Sequence, residues 1–347
     1  MPGLRTHSSR DRLPRRVVAV MSRLHPTHPK PRGAVVGFVI AAMVFAAFAL
    51  MRPLALLSGT TFVEGVSCSV ALAYGQGARQ VLDVCVAQGK GGKAPPTGGS
   101  TSVGQIGGRP VVVFFYGGSW NRGERGDYRF AALTLARRGA VVVIPDYRLY
   151  PEVRYPDFLE DSAQAVAWAL RHAAEFGGDP RRVVVMGHSA GAYNAAMVAL
   201  DPRWLRLTGH RPEELAGFIG LAGPYNFLPI RNPEVKPVFR WPQTPPDTQP
   251  LAHVNGRAPA ALLIAPLEDV VVDPDRNTEM LAQALRAACV PVTVKRYGAL
   301  NHSTSVAALA PLLSWLAPVT EDVVTFVLQG RRESTGPPCS SAASSQR

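Results

Sequence analysis

The chain has 347 residues, of which 47% are apolar and 18% charged. This composition suits one domain of about 200–300 residues with extensions and excludes wholesale disorder. The net charge of +12 belongs to the ends, because residues 1–32 carry eight Arg or Lys against one Asp, whereas residues 53–329 carry 25 basic and 23 acidic residues. The near-neutral body gives no phosphate-binding face, so no nucleic-acid partner is predicted. The four cysteines form no CxxC or Cys/His cluster, so no metal site is predicted either.

The N-terminal region is predicted to meet a membrane. Residues 1–32 form a basic arm, and the next 19 residues, 33–51, carry no charge. As a helix this segment would be about 28 Å long, close to the thickness of a bilayer core. We expect residues 33–52 to be a transmembrane anchor that contacts the membrane through residues 33–51. The basic arm favours a single-pass protein with a cytoplasmic N-terminus and an extracytoplasmic body.

A second interpretation of the same segment is a cleaved signal peptide. Residues 47–49, Ala-Phe-Ala, resemble a small-x-small cleavage site, and Met21 could be the true start. The protein would then be secreted. The charged and Pro-rich flanks disfavour a buried core helix.

The body is predicted to begin with a hairpin. Residues 62–87 alternate apolar and polar side chains around the turn at residues 74–77, and a Gly/Pro/Ser/Thr loop follows at residues 88–108. Cys68 and Cys85 would lie on the two strands of this hairpin. They could form a disulfide in an oxidising compartment, but the expected state is two buried free thiols.

Short apolar runs then alternate with helical stretches, which predicts an α/β domain over residues 60–329 with a mostly parallel central sheet flanked by helices. The predicted buried strands are Val111–Tyr116, Ala140–Ile144, Val183–Met186, Gly217–Leu221, Ala260–Ala265 and Val292–Tyr297, and the marked helices are Asp157–Phe176 and Pro274–Ala288. Residues 224–259 hold nine Pro and several aromatics, which favours an insertion that caps a pocket. The tail, residues 330–347, is expected to be disordered.

The strongest chemical signal is the pentapeptide Gly187-His188-Ser189-Ala190-Gly191. It follows the strand RRVVVM and precedes the helical run AYNAAMVAL, which is the context of a G-x-S-x-G nucleophile elbow. The glycines let strand and helix approach closely, and Ser189 stands exposed as the candidate nucleophile. His188 is interpreted as a packing residue inside the elbow, not as a catalytic base.

A second signal is a pair of glycines after the strand VVVFFY, in the segment Tyr116-Gly117-Gly118-Ser119-Trp120. Backbone N–H groups in such a loop can point into a cleft and stabilise the oxyanion of a tetrahedral intermediate. The candidate oxyanion-hole residues are Gly117, Gly118, Ser119 and Ala190, the last being the residue after the nucleophile.

An acid and a base are predicted in the loops that follow two late strands. His302 is the candidate general base, and Asp269 is the candidate acid that orients it. Glu268 stays open as an alternative acid. Asp273, followed by Pro274, fits a helix N-cap better than a catalytic role.

The segments YGGSW, GHSAG, LEDVVVDPDRN and NH, in this order, resemble the α/β-hydrolase superfamily. More narrowly they resemble the esterases of the hormone-sensitive-lipase and isoprenylcysteine-methylesterase-like group, over roughly residues 70–329. The resemblance implies an α/β-hydrolase fold with Ser189 as nucleophile, Asp269 as acid and His302 as base. Two departures are Tyr116, where the family loop usually has His, and Pro266, where members often have Gly.

These observations predict a serine hydrolase that cleaves a carboxylic ester through an acyl-serine intermediate, without metal or cofactor. A small-molecule ester, lipid-like or aryl, is the expected substrate. One alternative keeps the three residues but cleaves an amide, as an arylformamidase-type amidase or a small peptidase does. The other is a non-catalytic scaffold protein on a hydrolase fold.

Overall fold

The computed structural model describes residues 52–89 and 108–329. The predicted basic arm, the predicted anchor or signal segment at residues 33–51 and the predicted tail at residues 330–347 lie outside the described residues. None of the helices in the described ranges combines the length and the apolar character needed to cross a bilayer.

The described part of the chain contains an eight-stranded sheet, whose strands lie in the order β1-β2-β4-β3-β5-β6-β7-β8. Strands β3 to β8 are parallel to one another, whereas β2 pairs antiparallel with both β1 and β4. The predicted α/β architecture with a mostly parallel sheet is therefore confirmed. The strands are β1 Val66–Ala73, β2 Val81–Ala87, β3 Arg109–Phe115, β4 Val141–Pro145, β5 Gly178–His188, β6 Gly217–Leu221, β7 Ala261–Pro266 and β8 Val292–Tyr297.

The central strands are rich in Val, Ile and Phe because helices cover both faces of the sheet. Val112 of β3 pairs with Val142 of β4 and with Val184 of β5, and all three are buried. Strand β8 differs from the prediction, because it is only half-buried. It forms the edge of the sheet, where Lys295 pairs with Asp322 at 3.2 Å, and charged side chains of this kind discourage pairing with further strands.

The helices largely follow the predicted segments. The first marked helix ends at His172 and continues as a 3₁₀ turn, Ala173–Phe176, and the second begins with a π turn, Asp275–Glu279. All eleven residues of the helix that follows Ser189 are buried, as expected for a helix that is apolar all round. The helices are α1 Pro53–Thr60, α2 Arg129–Arg137, α3 Asp157–His172, α4 Ala190–Leu200, α5 Pro202–Arg206, α6 Met280–Ala287, α7 Thr304–Ala307 and α8 Val319–Gln329.

The cysteines of the first hairpin form a disulfide, Cys68–Cys85, so the expectation of two free thiols is wrong. The hairpin register places the two residues directly opposite each other on β1 and β2, which brings the Cα atoms to 4.1 Å. Closing a loop of this size stabilises a fold by about 3 kcal/mol, mainly by restricting the unfolded chain. The disulfide thus fastens the outer edge strand β1 to the sheet.

Candidate active site

Ser189 occupies a sharp turn between β5 and α4, where φ is 54° and ψ is −122°, a backbone conformation that L-residues rarely adopt. Two glycines make this turn sterically possible. A Cβ on Gly187 would lie 2.2 Å from the carbonyl oxygen of Gly191, and a Cβ on Gly191 would lie 2.1 Å from that of Phe115. The N–H of Ser189 donates to the Leu221 carbonyl at 2.9 Å, which fixes the turn against β6.

The structure brings Ser189, His302 and Asp269 together at the carboxyl ends of β5, β8 and β7. His302 Nε2 lies 2.8 Å from Ser189 Oγ, and His302 Nδ1 lies 2.7 Å from Asp269 Oδ2. Parallel strands place their carboxyl ends at one edge of the sheet, which is why side chains separated by more than a hundred positions meet here. The imidazole is thus in hydrogen-bond contact with a hydroxyl on one side and a carboxylate on the other.

The carboxylate of Asp269 is buried and well supplied with donors. Its Oδ1 accepts the N–H groups of Val271 at 2.8 Å and Val272 at 3.0 Å. Burial alone would raise its pKa, but the hydrogen bond from His302, together with the backbone bonds, lowers the pKa of Asp269 below its usual value. Asp269 is therefore ionised at neutral pH.

The other two acids of this loop lie elsewhere. Glu268 is exposed and makes no hydrogen bond to His302. Asp273 accepts the N–H groups of Asp275 and Arg276 through its Oδ1, at 3.0 and 3.2 Å, which is the helix-capping geometry expected of it.

Of the predicted oxyanion-hole residues, Ser119 and Ala190 line the cleft at Ser189. Ser119 and Gly118 both have positive φ, 52° and 133°, so the loop after β3 turns sharply. Its internal hydrogen bonds engage the carbonyl of Gly118, which accepts from Asn121 and Arg122, and not its N–H. The backbone N–H of Gly117, unlike that of Gly118, lies next to the Tyr128 hydroxyl.

Tyr116, which stands where the family loop usually has His, is held by a residue that no sequence motif indicated. Arg79, from the turn of the first hairpin, donates to the Tyr116 hydroxyl at 2.7 Å and to the Gly123 carbonyl at 2.8 Å. It also donates to the Tyr147 carbonyl at 2.9 Å, and the Tyr147 hydroxyl donates to the Tyr116 carbonyl at 2.8 Å. Both ends of the loop from residue 116 to residue 123 are therefore held by one guanidinium.

A cleft of about 620 Å³ opens at Ser189; we call it the Ser189 cleft. The segment 224–259 supplies much of one wall, including Phe227 and Ile230, and the loop after β7 supplies Val270 and Val271. Both valines are exposed at the surface of the cleft. The lining of the cleft thus combines these apolar side chains with polar residues, among them Arg231, Asn232 and Arg276.

The segment 224–259 is attached to the body by specific polar contacts. The N–H groups of Tyr225 and Asn226 both donate to Asn277 Oδ1, at 2.7 and 2.8 Å. The Tyr193 hydroxyl of α4 donates to the Thr248 carbonyl at 2.7 Å. These bonds hold the wall of the cleft in one position relative to the elbow.

The middle residue of the elbow, His188, is buried, and this burial lowers the pKa of its imidazole to about 3, with the nearby His302 ring contributing. The groups that face it are Tyr128, His302 and, more remotely, Asp269. The unfolded chain would bind a proton at His188 near the usual pKa of 6.5, whereas the folded protein does so only near pH 3.

We therefore expect acid to destabilise the fold through His188. Between pH 6.5 and 3 the unfolded state binds more protons than the folded state. The free energy of unfolding then falls with decreasing pH by up to about 1.4 kcal/mol per pH unit. Urea unfolding at several pH values will show a shallower acid dependence in His188→Gln than in the parent protein. Parallel curves for the two proteins would contradict this expectation.

Within residues 52–89 and 108–329, no three His, Cys, Asp or Glu side chains are grouped so that they could hold a metal ion. The groups in direct contact at Ser189 are the Ser189 hydroxyl, the His302 imidazole and, behind it, the Asp269 carboxylate.

Comparison with known proteins gives three kinds of similarity. The BD-FAE family model matches residues 103–285, more than half of the chain. The chain is 26% identical to the probable isoprenylcysteine alpha-carbonyl methylesterase ICMEL1 of Arabidopsis thaliana over 251 residues, which are 66% of this chain and 52% of that protein. It is 30% identical to esterase LipC of Mycobacterium tuberculosis over 196 residues, 51% of this chain and 48% of that protein. The chain thus spans about half the length of these curated relatives.

Two solved structures share the fold. Esterase B of Lactobacillus rhamnosis superimposes with a TM-score of 0.63 at 20% identity, covering 84% of this chain and 96% of that one. Esterase 2 of Thermogutta terrifontis gives a TM-score of 0.59 at 21% identity, with 77% and 96% covered. At these identities the similarity concerns the fold.

Proposed function

This chain belongs to the BD-FAE family, and from that membership we propose that it is a serine hydrolase that cleaves a carboxylic ester through an acyl-serine intermediate. The α/β-hydrolase fold predicted from the sequence is confirmed by the solved esterases that share it. The relatives named as methylesterase and esterase support an ester as the substrate.

One observation carries the mechanism: the His302 ring is in hydrogen-bond contact with both Ser189 Oγ and the Asp269 carboxylate. In the proposed reaction His302 Nε2 takes the proton of Ser189 as Oγ attacks the ester carbonyl carbon, and then gives that proton to the leaving alcohol. The same imidazole next deprotonates a water molecule, which attacks the acyl group and releases it from Ser189. Asp269 keeps the hydrogen on Nδ1 and stabilises the imidazolium.

We assign the oxyanion of the tetrahedral intermediates to the N–H groups of Gly118, Ser119 and Ala190. Ala190 is the first residue of α4, so its N–H has no acceptor within the helix, and the helix N-terminus favours negative charge. Each such donor contributes roughly 3–4 kcal/mol to stabilising the transition state. Gly117 is left out of this set, because its N–H already meets the Tyr128 hydroxyl.

We further propose that the segment 224–259 acts as a cap that selects the substrate. The apolar side chains that it shares with the loop after β7, among them Phe227, Ile230 and Val270, suit a lipid-like or aryl group. No step of the reaction uses a metal or a cofactor.

The Cys68–Cys85 disulfide supports a location outside the cytoplasm, since disulfides persist in oxidising compartments. Export through the segment at residues 33–51, as an anchor or as a cleaved signal, would deliver the protein there. This location agrees with an ester substrate met at or beyond a membrane.

A panel of p-nitrophenyl esters with graded acyl chains tests the cleft. We expect kcat/KM to rise about three- to fourfold per added methylene from acetate to about hexanoate, because each buried CH₂ contributes about 0.8 kcal/mol. Ser189→Ala serves as the blank for spontaneous hydrolysis. A flat or falling series would place the acyl group away from the apolar side chains of the cleft and contradict the proposed cap.

Further substrates and a covalent probe, tested on the same protein preparation, distinguish an esterase from the alternative functions. Cleavage of N-formylaniline faster than that of p-nitrophenyl acetate would favour an amidase of the arylformamidase type, and cleavage of short peptides a peptidase. A non-catalytic scaffold would react with neither these substrates nor a fluorophosphonate probe, which labels an activated serine. We expect labelling and ester turnover together.

A further inference from the structure

The imidazole of His188 joins two segments of the site that are far apart in the sequence. Its Nε2 lies 2.9 Å from the backbone carbonyl oxygen of His302, and its Nδ1 lies 3.0 Å from the Tyr128 hydroxyl. A carbonyl oxygen can only accept a hydrogen bond, so Nε2 carries the hydrogen. Nδ1 of the neutral ring then accepts the hydrogen bond that the Tyr128 hydroxyl donates.

The protonation state of His188 agrees with these contacts. Burial holds its pKa at about 3, so the ring is neutral at the pH where an esterase would work. A protonated ring would have no acceptor for the Tyr128 hydroxyl. It would also place a second positive charge beside His302, whose ring centroid lies 5.1 Å away. A neutral His188 can therefore hold the backbone of His302 without opposing the charge that the base acquires.

The carbonyl of His302 has a second donor, but this donor is local. Ser305 Oγ donates to it at 2.6 Å from three residues further along the same turn. That bond shapes the turn itself and gives it no fixed position relative to Ser189. The hydrogen bond from His188 does fix the position of this turn relative to Ser189. His188 is the residue directly before Ser189, and its ring is held in turn by Tyr128.

We propose that His188 is a positioning residue, whose Nε2–H ties the backbone of His302 to the elbow and so keeps the imidazole of His302 between Ser189 Oγ and Asp269. This inference rests on the proposed function of these three residues. His188 is not among the residues that line the Ser189 cleft, so it acts through His302 and not on the substrate.

Two variants of almost equal length and volume test this role in the full-length protein. His188→Gln keeps an N–H for the His302 carbonyl and an oxygen for the Tyr128 hydroxyl, whereas His188→Met fills the space without either bond. We expect His188→Met to lower kcat for p-nitrophenyl butyrate by about 10- to 100-fold with little change in KM, because a shift of about 1 Å in a catalytic group has an effect of this size. His188→Gln should recover most of the loss.

A second readout does not depend on turnover. The proton between His302 Nδ1 and Asp269 should give a far-downfield NMR resonance in the parent protein and in His188→Gln, and should exchange away in His188→Met. His172→Gln, which changes a histidine on the far end of α3, is the matched control and should alter neither readout.

Equal kcat values for the Gln and Met variants, whether high or low, would overturn the proposal and leave His188 as a packing residue. So would a downfield resonance that persists in the Met variant. If the parent protein lacked ester turnover and fluorophosphonate labelling, the proposed function would fail, and the NMR comparison would still decide whether His188 positions His302.

Discussion

Replacing Ser189 with Ala is expected to lower kcat for p-nitrophenyl esters by about 10⁶-fold and to abolish labelling by a fluorophosphonate. Loss of the nucleophile in a serine hydrolase has an effect of this order, because the covalent route closes and only the oxyanion donors and substrate binding remain. The fold should persist, since the change removes one oxygen from a residue that packs at the mouth of a cleft. Single-turnover kinetics with enzyme in excess, together with a gel-based labelling assay, will measure both effects.

Ser314→Ala is the matched control, because Ser314 lies outside the Ser189 cleft and its hydroxyl bonds only the Pro311 carbonyl of its own turn. It should retain full activity and labelling. If Ser189→Ala kept more than about one part in a thousand of the parent kcat, the nucleophile would have to be another group, and the proposed reaction would be wrong.

The three residues are expected to act as one unit. His302→Ala alone should cost about as much as Ser189→Ala, and the double variant should lose no more than either single one, because each change already closes the covalent route. Additive losses would mean that His302 works independently of Ser189, against the 2.8 Å contact between them.

The parts of this site that the sequence predicted are those encoded locally. The turn at Ser189 requires a strand, two glycines and a helix in immediate succession, and all of them lie within one stretch of about twenty residues. The buried strands could be predicted from the sequence, because the strands of a sheet that is covered on both faces are continuous apolar runs. The exception is β8, which was predicted to be buried but is half-buried at the edge of the sheet, where it carries Lys295 and Arg296.

The parts that the sequence did not predict depend on contacts between distant segments. Arg79 fixes the loop at Tyr116 from a hairpin turn that carries no motif, and only the folded sheet brings the two together. The bond from His188 to the His302 carbonyl spans 114 positions. The Cys68–Cys85 disulfide was misjudged because the strand register, which sets the distance between the two residues, cannot be read from alternation alone.

Replacing the acid that contacts His302 is expected to have the second large effect on turnover. Asp269→Asn should lower kcat by about 10⁴-fold. The reason lies in how the carboxylate is held. Oδ1 accepts the N–H groups of Val271 and Val272, so an asparagine would have to keep its oxygen there and turn its NH₂ group toward His302 Nδ1. His302 would then carry its hydrogen on Nε2, facing Ser189, and could no longer accept the serine proton.

Glu268→Gln is the matched comparison, because the same loss of charge occurs one residue away on an exposed side chain that does not contact His302. It should change kcat by less than about threefold. A larger loss in Glu268→Gln than in Asp269→Asn would mean that the loop rearranges in solution and presents Glu268 to the imidazole. The ordering of these two losses therefore identifies the acid more directly than either value alone, because both variants carry the same change in net charge.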